Sequence, residues 1–170
     1  MTGRDRAVAV PAAVEAVRLD WHCLAFPQLP PLLLYQALAL RSGVFVMEQR
    51  CLYQDLDGDD PDALMVLGCA PGAGKQGEVV ATARILGPGV RFKEPAIGRV
   101  CTAPALRGGG AGRALMAFAI RSTRSHHPGY GIRISAQAYL ETFYASLGFE
   151  TASPRYLEDG IPHVEMRLPA

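Results

Sequence analysis

An α/β (α+β) fold, built on one mixed and mostly antiparallel sheet flanked by helices, is the class this sequence predicts. Three observations predict it. Of 170 residues, 49% are apolar and 19% charged, enough for one core and too little charge for a disordered chain. Short apolar and β-branched runs bounded by turn signals alternate with two stretches of helical spacing. The segments follow the order strand, helix, antiparallel strands, then strand-loop-helix-strand-helix-strands, which is not the repeating βαβ order of a doubly wound sheet.

Residues 1–17 begin with Arg4 and Arg6 ahead of small apolar residues, but Pro11 and Glu15 interrupt the run. They read as a loose N-terminal extension, with the domain proper over 18–170. Arg18 to Leu24 reads as a first strand. Pro30 and Pro31 suit the opening turn of a helix in which Leu34, Leu38 and Arg41, or Leu33, Ala37 and Leu40, share a face. Residues 51–62 form a polar loop closed near Pro61. Leu64 to Ala70 and Glu78 to Leu86 read as antiparallel strands, with Gly72 to Gly77 as their turn. Ala96 to Thr102 is a strand that runs into a glycine loop. Leu115 with Ala119, and Met116 with Ile120, mark the helix after it. Ile132 to Ala136 is a strand, Tyr139 to Leu147 a short helix, and Gly148 its terminator. Two closing strands flank Glu158-Asp159-Gly160, where Asp-Gly favours a tight hairpin turn.

Composition excludes several classes. Lys+Arg 17 against Asp+Glu 16 leaves +1, so there is no electrostatic case for nucleic-acid binding. Arg121, Arg124, His126 and His127 cluster at a helix end, where they complement the helix dipole. No stretch of about 18 uninterrupted apolar residues suggests a membrane span. Cys23, Cys51, Cys69 and Cys101 form no Cys-x-x-Cys pair, which argues against a zinc or redox motif and for free thiols in a cytoplasmic protein.

The strongest chemical signal is Arg107-Gly108-Gly109-Gly110-Ala111-Gly112, between a strand and a helix. Glycines let backbone approach a ligand closely, and the unpaired N–H groups of a helix start make an anion site. Arg107 and Arg113 add charge suited to phosphate. The alternative is a plain flexible loop. A dinucleotide fingerprint would need an acidic residue about 20 positions on, where Arg133 and Ser135 stand. A Walker A loop would need Gly and Ser/Thr where Cys69 and Gln76 stand.

The pattern Arg107-x-x-Gly110-x-Gly112 on a strand-loop-helix resembles the acyl-CoA pyrophosphate loop of the GNAT (Gcn5-related N-acetyltransferase) superfamily. Ala136-Gln137-Ala138-Tyr139-Leu140 through Phe143-Tyr144-x-x-x-Gly148-Phe149 resembles its second cofactor segment. Residues 41–60, Ile97 to Val100, 136–149 and 156–166 together resemble the ElaA-like branch, from about Trp21 to Arg167.

The resemblance implies a GNAT fold whose sheet splays at the cofactor strand, and a GNAT acyltransferase domain over 18–170. It implies acetyl-CoA as donor, with Val100, Cys101 and Thr102 along the pantetheine arm and a backbone N–H near Thr102 polarising the thioester carbonyl. Backbone N–H groups from Arg107 through Gly112 would hold the pyrophosphate, with Gln137, Leu140 and Phe143 completing the cofactor wall. Gln137 stands where many members have asparagine. Tyr144 would protonate the departing thiolate; on spacing alone it reads as a core aromatic. Cys101 has no nearby histidine in sequence to make it a nucleophile, and reads as packing. The resemblance further implies a primary amine, free or on a peptide, attacking directly, in a monomer or homodimer. A binding module without turnover is the competing reading.

On the acceptor side, Asp55, Asp57, Asp59 and Asp60 crowd one loop. An EF-hand would need Gly and Glu where Asp60 and Val66 stand, so no metal site is expected. The loop reads equally as solvated, or as an anionic mouth for a cationic amine. Glu48 and His163 are the candidate general bases. Arg41, Arg84 and Arg99 lie in the matching segments and could orient acidic groups. Arg41 with Phe45, and Arg84, also resemble the acyl-homoserine-lactone synthases, which share this fold; the tryptophan expected downstream is absent, with Cys51 at that place.

Overall fold

The computed structural model describes residues 18–71 and 77–170. The extension read over residues 1–17, and most of the turn read at 72–77, lie outside the described residues. Strands β1 (Asp20–Ala25), β2 (Leu64–Ala70), β3 (Glu78–Leu86) and β4 (Ala96–Thr102) form a continuous antiparallel run. A parallel partner for β4 needs a crossover, supplied by helix α2 (Ala111–His126), after which β5 (Ile132–Gln137) lies beside β4. Helix α3 (Glu141–Ala145), β6 (Glu150–Thr151), β7 (Tyr156–Glu158) and β8 (Ile161–Leu168) close the chain. The sheet order is β1-β2-β3-β4-β5-β8-β6, with β7 also on β8. This is the expected mixed, mostly antiparallel sheet.

Strand alternation puts a core on each face. Met65, Leu67 and Cys69 of β2 meet Leu33 and Ala37 of α1 (Pro31–Arg41). Val66, with Ala81, Ala83 and Ile85 of β3, meets Leu115, Met116 and Ala119 of α2. Each fully buried aliphatic contributes about 1.5–3 kcal/mol. The buried face of α1 is Leu33, Ala37 and Arg41, so it combines one residue from one expected face with two from the other. Beyond Arg41 the helix widens into π turns over Ser42–Glu48. The helix expected over 139–147 is divided into a 3₁₀ turn, Ala138–Leu140, and the five-residue α3, and it ends at Gly148 with φ +93°. Asp159 (φ +49°) and Gly160 (φ +78°) both sit left-handed, as a two-residue primed hairpin turn requires.

Two features make room for a site. First, β4 and β5 pair at one register point, Ala96 with Arg133, where the Arg133 N–H donates to the Pro95 carbonyl at 3.0 Å. From there the strands diverge toward Thr102 and Gln137. Second, α1 covers the β2–β4 part of its face and stops short of β5 and β8. On β5 and β8, Ile134, Ala136, Val164 and Met166 turn to the α2 side. Alternation therefore leaves Ser135, Gln137, His163 and Glu165 on the opposite, uncovered face.

Candidate active site

The splay opens a cleft of about 1050 Å³ that reaches from Gly108 and Gly110 at the start of α2 to the β7–β8 hairpin. Val100, Cys101 and Thr102 border it from β4, and Gln137, Leu140, Phe143 and Tyr144 from the β5–α3 segment.

At one end lies the glycine turn. Gly108 (φ +79°) and Gly110 (φ +87°) occupy left-handed backbone, and a Cβ at either would meet nothing within 4 Å, so both open onto free space. Gly110 is the N-cap of α2 and no side chain caps the helix. The first N–H groups of a 16-residue helix are therefore unpaired at the positive end of its dipole. The Arg113 guanidinium donates to the Ser146 hydroxyl at 2.7 Å and lies over the Phe143 ring, which ties the start of α2 to α3. This cradle fits a pyrophosphate. Gly109 and Ala111 belong to the same turn without bordering the cleft. Arg107 departs from expectation in one respect: its guanidinium binds the Glu48 carboxylate and is not left for a phosphate.

On β4, the Ala103 N–H donates to the Val80 carbonyl on the β3 side at 2.7 Å. Alternation turns the N–H and C=O of Thr102 the other way, into the gap, where its carbonyl also receives Arg107 at 3.5 Å. Between Thr82 and Arg84 the β3–β4 register slips, and Arg99 takes φ +51°. That unusual backbone for a non-glycine residue is held from outside. Arg99 donates to the Asp57 carboxylate at 2.9 Å and to the Asp55 carbonyl at 3.1 Å, and its Nε sits 2.8 Å from Asp55 Oδ1, off the hydrogen-bond direction.

Arg99 is one member of a larger network. Arg41 donates to Asp55 at 2.9 Å and to Asp60 at 2.8 Å. Arg84 binds Asp57 and Asp60, and Arg91 binds Asp57 and Asp59. Arg41, Asp55, Asp60 and Arg84 are buried. The anionic-mouth reading of this loop is corrected here: Asp55 and Asp57 are consumed by arginines and do not border the cleft, nor does Arg41, while Arg84 borders it with its guanidinium spent on Asp57 and Asp60. Phe45, on the π turns, does border the cleft. Burial alone would raise Asp57, but hydrogen bonds from Arg84 and the Asp59 N–H, with the charges of Arg84 and Arg99, hold it well below the usual carboxylate range. A depressed folded pKa adds stability above the unfolded value of about 3.9, lost as pH falls through the folded pKa. Asp57→Asn should cost about 1.5–3 kcal/mol at neutral pH. The melting gap to the wild type should be constant at neutral pH and narrow progressively as pH falls below about 4, toward the depressed folded pKa; a gap independent of pH would contradict this.

Tyr144 is 6% exposed and packs edge-on against Phe143 and Phe149. Its hydroxyl has no hydrogen-bond partner among the described residues. Burial raises its pKa, so it stays a protonated phenol. The Cys101 thiol, on the facing wall, is pushed up to about 12 by burial. It is therefore no nucleophile at neutral pH. Glu48 does not suit the base role, because the Arg107 hydrogen bond holds its carboxyl below the usual range. His163 keeps the role open. Its Nδ1 lies 2.8 Å from the Ile161 carbonyl, an acceptor only, so Nδ1 carries a proton and, in the neutral ring, Nε2 is the nitrogen left to accept one. Gln137 donates to the Gln49 side chain at 3.1 Å, which bridges β5 to the segment after the π turns.

Sequence reasoning missed a polar group on the uncovered face. The Ser135 hydroxyl bonds both the Tyr156 hydroxyl and Glu158 Oε2, the latter at 3.0 Å, and Tyr156 stacks on His163 with centroids 6.1 Å apart. The acidic pair after Leu157 was readable only as hairpin chemistry, because Ser135 is 23 residues away in the chain.

Three comparisons extend the geometry. Residues 47–170 match a family model described as an acetyltransferase (GNAT) domain. The protein ElaA of Escherichia coli K12 is 41% identical over 150 residues, covering 87% of this chain and 95% of that protein. Its crystal structure superposes with a TM-score of 0.79 at 40% identity, over 89% of this chain and 99% of that one. An acyl-CoA N-acyltransferase structure from Pseudomonas aeruginosa gives 0.81 at 37% identity, with coverage of 89% and 99%. A CoA-dependent acyl-homoserine lactone synthase, BjaI, gives 0.68 at 16% identity, with coverage of 89% and 84%, which shows a shared fold and no more.

Proposed function

The chain belongs to the GNAT acyl-CoA N-acyltransferase family, in its ElaA-like branch, and from that premise we propose that it transfers acetyl from acetyl-CoA to a primary amine by direct attack. The observation that carries the reading is the uncapped glycine start of α2 opening onto the same cleft as the Tyr144 phenol.

Acetyl-CoA brings a thioester-activated acetyl group. The unpaired N–H groups of residues 108–112 bind its pyrophosphate. The free edge of β4, Val100 to Thr102, orients its pantetheine arm, and the Thr102 N–H polarises the carbonyl. Leu140 and Phe143 exclude water. His163 Nε2 accepts the proton from the acceptor's ammonium, which leaves a neutral nitrogen to attack. Tyr144 gives its proton to the departing sulfur, and the nitrogen loses its second proton to solvent as the amide forms. The donor and acceptor sites regain their protonation states through solvent.

None of the helices among the described residues is long and apolar enough to cross a membrane. Four free cysteines suit a reducing compartment, so we assign the protein to the cytoplasm.

Calorimetry with acetyl-CoA, followed by CoA release over an amine panel, tests the reading. Binding with amine-dependent CoA release is expected. Binding without release for any amine would favour an acyl-CoA sensor, and no binding would overturn both.

A further inference from the structure

The charges along the cleft are not evenly compensated. Arg84, Arg91 and Arg99 are matched by the aspartates of residues 55–60, and Arg107 by Glu48. At the glycine end, Arg113 has no carboxylate partner and adds to the positive end of α2. At the hairpin end the sign reverses. Glu158 and Asp159 border the cleft and form no ion pair among the described residues.

Glu158 is also oriented. Ser135 donates to its Oε2 at 3.0 Å, the Tyr156 hydroxyl lies 3.5 Å from the same oxygen, and the two hydroxyls bond each other. Tyr156 is fixed in turn by stacking on His163. With the Ser135 proton on Oε2, the Tyr156 hydroxyl donates to the Ser135 oxygen, and Oε1 has no hydrogen-bond partner among the described residues. A carboxylate pre-set in this way is a hydrogen-bonding counter-charge for a cation.

Resting on the transferase reading above, we propose that Glu158, held by Ser135 and Tyr156, seats a second, non-reacting ammonium of the acceptor, so that the enzyme selects short diamines and polyamines. The reacting nitrogen must lose its proton before it attacks. A carboxylate against that nitrogen would raise its pKa and hold the proton on it. Glu158 therefore suits a nitrogen that stays charged, and the lone pair of His163 suits the one that does not. Ser135 and Gln137 are two residues apart on β5, about 7 Å, and Gln137 is registered opposite His163. Carboxylate and imidazole thus line the same cleft from neighbouring rows of the sheet, and the four-carbon chain is the length the test starts from.

The test uses 1,4-diaminobutane, n-butylamine and 4-aminobutanoate, which share a chain and differ in the far group. Wild type and Glu158→Gln are compared for CoA release, and 1,4-diaminobutane is titrated by calorimetry into each protein, with and without CoA. The diamine should exceed butylamine about tenfold in kcat/KM, through KM, with 4-aminobutanoate the poorest. Glu158→Gln should erase that preference and weaken diamine binding by a similar factor, with its melting temperature unchanged. Equal use of diamine and monoamine, a preference that survives Glu158→Gln, or diamine binding indifferent to the substitution would each overturn the seat. Diamine binding that depends on Glu158 without any turnover would uphold the seat and sink the transferase reading instead.

Discussion

Tyr144→Phe is expected to slow single-turnover acetyl transfer by about 10²–10⁴-fold, the usual contribution of a positioned general acid. The substitution removes one oxygen that has no protein partner and keeps the ring against Phe143 and Phe149. Folding and acetyl-CoA affinity should therefore hold. The size of the effect follows from the wall of the cleft. A thiolate expelled in the cleft that Tyr144 lines needs a proton donor within reach, and the phenol is the candidate there. Burial raises the phenol, which keeps it protonated at every working pH. A Phe variant with wild-type single-turnover rate would remove Tyr144 from the mechanism.

Arg41→Met should be the most destabilising single change. Arg41 has no solvent exposure and bridges two buried carboxylates, Asp55 and Asp60. Removing it leaves both without their central counter-charge, a loss of about 3–5 kcal/mol. At this chain length that lowers Tm by roughly 6–20 °C. Arg41→Lys should fall between the two, because one ammonium cannot reproduce a fork that meets both carboxylates and the Asp55 carbonyl. Adding Asp55→Asn to Arg41→Met should cost less than the sum of the single changes, because the two residues are directly coupled. If Arg41→Met melts within a degree or two of wild type, the network does not govern stability.

The strands, the crossover helix and the glycine turn were legible because their signals are local. Val66, Ala81 and Ile134 sit in apolar strand runs, Leu115 and Ala119 are one helical turn apart, and Gly108 to Gly112 stand between a strand and a helix. Asp159-Gly160 declares its own turn. The acidic loop was half legible: four aspartates in six residues are visible, but a run of like charge reads as solvated until its partners are known.

What the chain order alone determined was the sheet, the crossover and the place where an anion would be met, since each depends on neighbours within a few residues. What only the tertiary structure decided was the sign and owner of each charge in the cleft. Arg41, Arg84, Arg91 and Arg99 reach Asp55 to Asp60 from four separate segments and cancel them, while Glu158 is left without a counter-ion among the described residues. The physical reason is range: backbone preference acts over a turn or two, whereas ion pairing joins whatever the fold brings within a few ångströms.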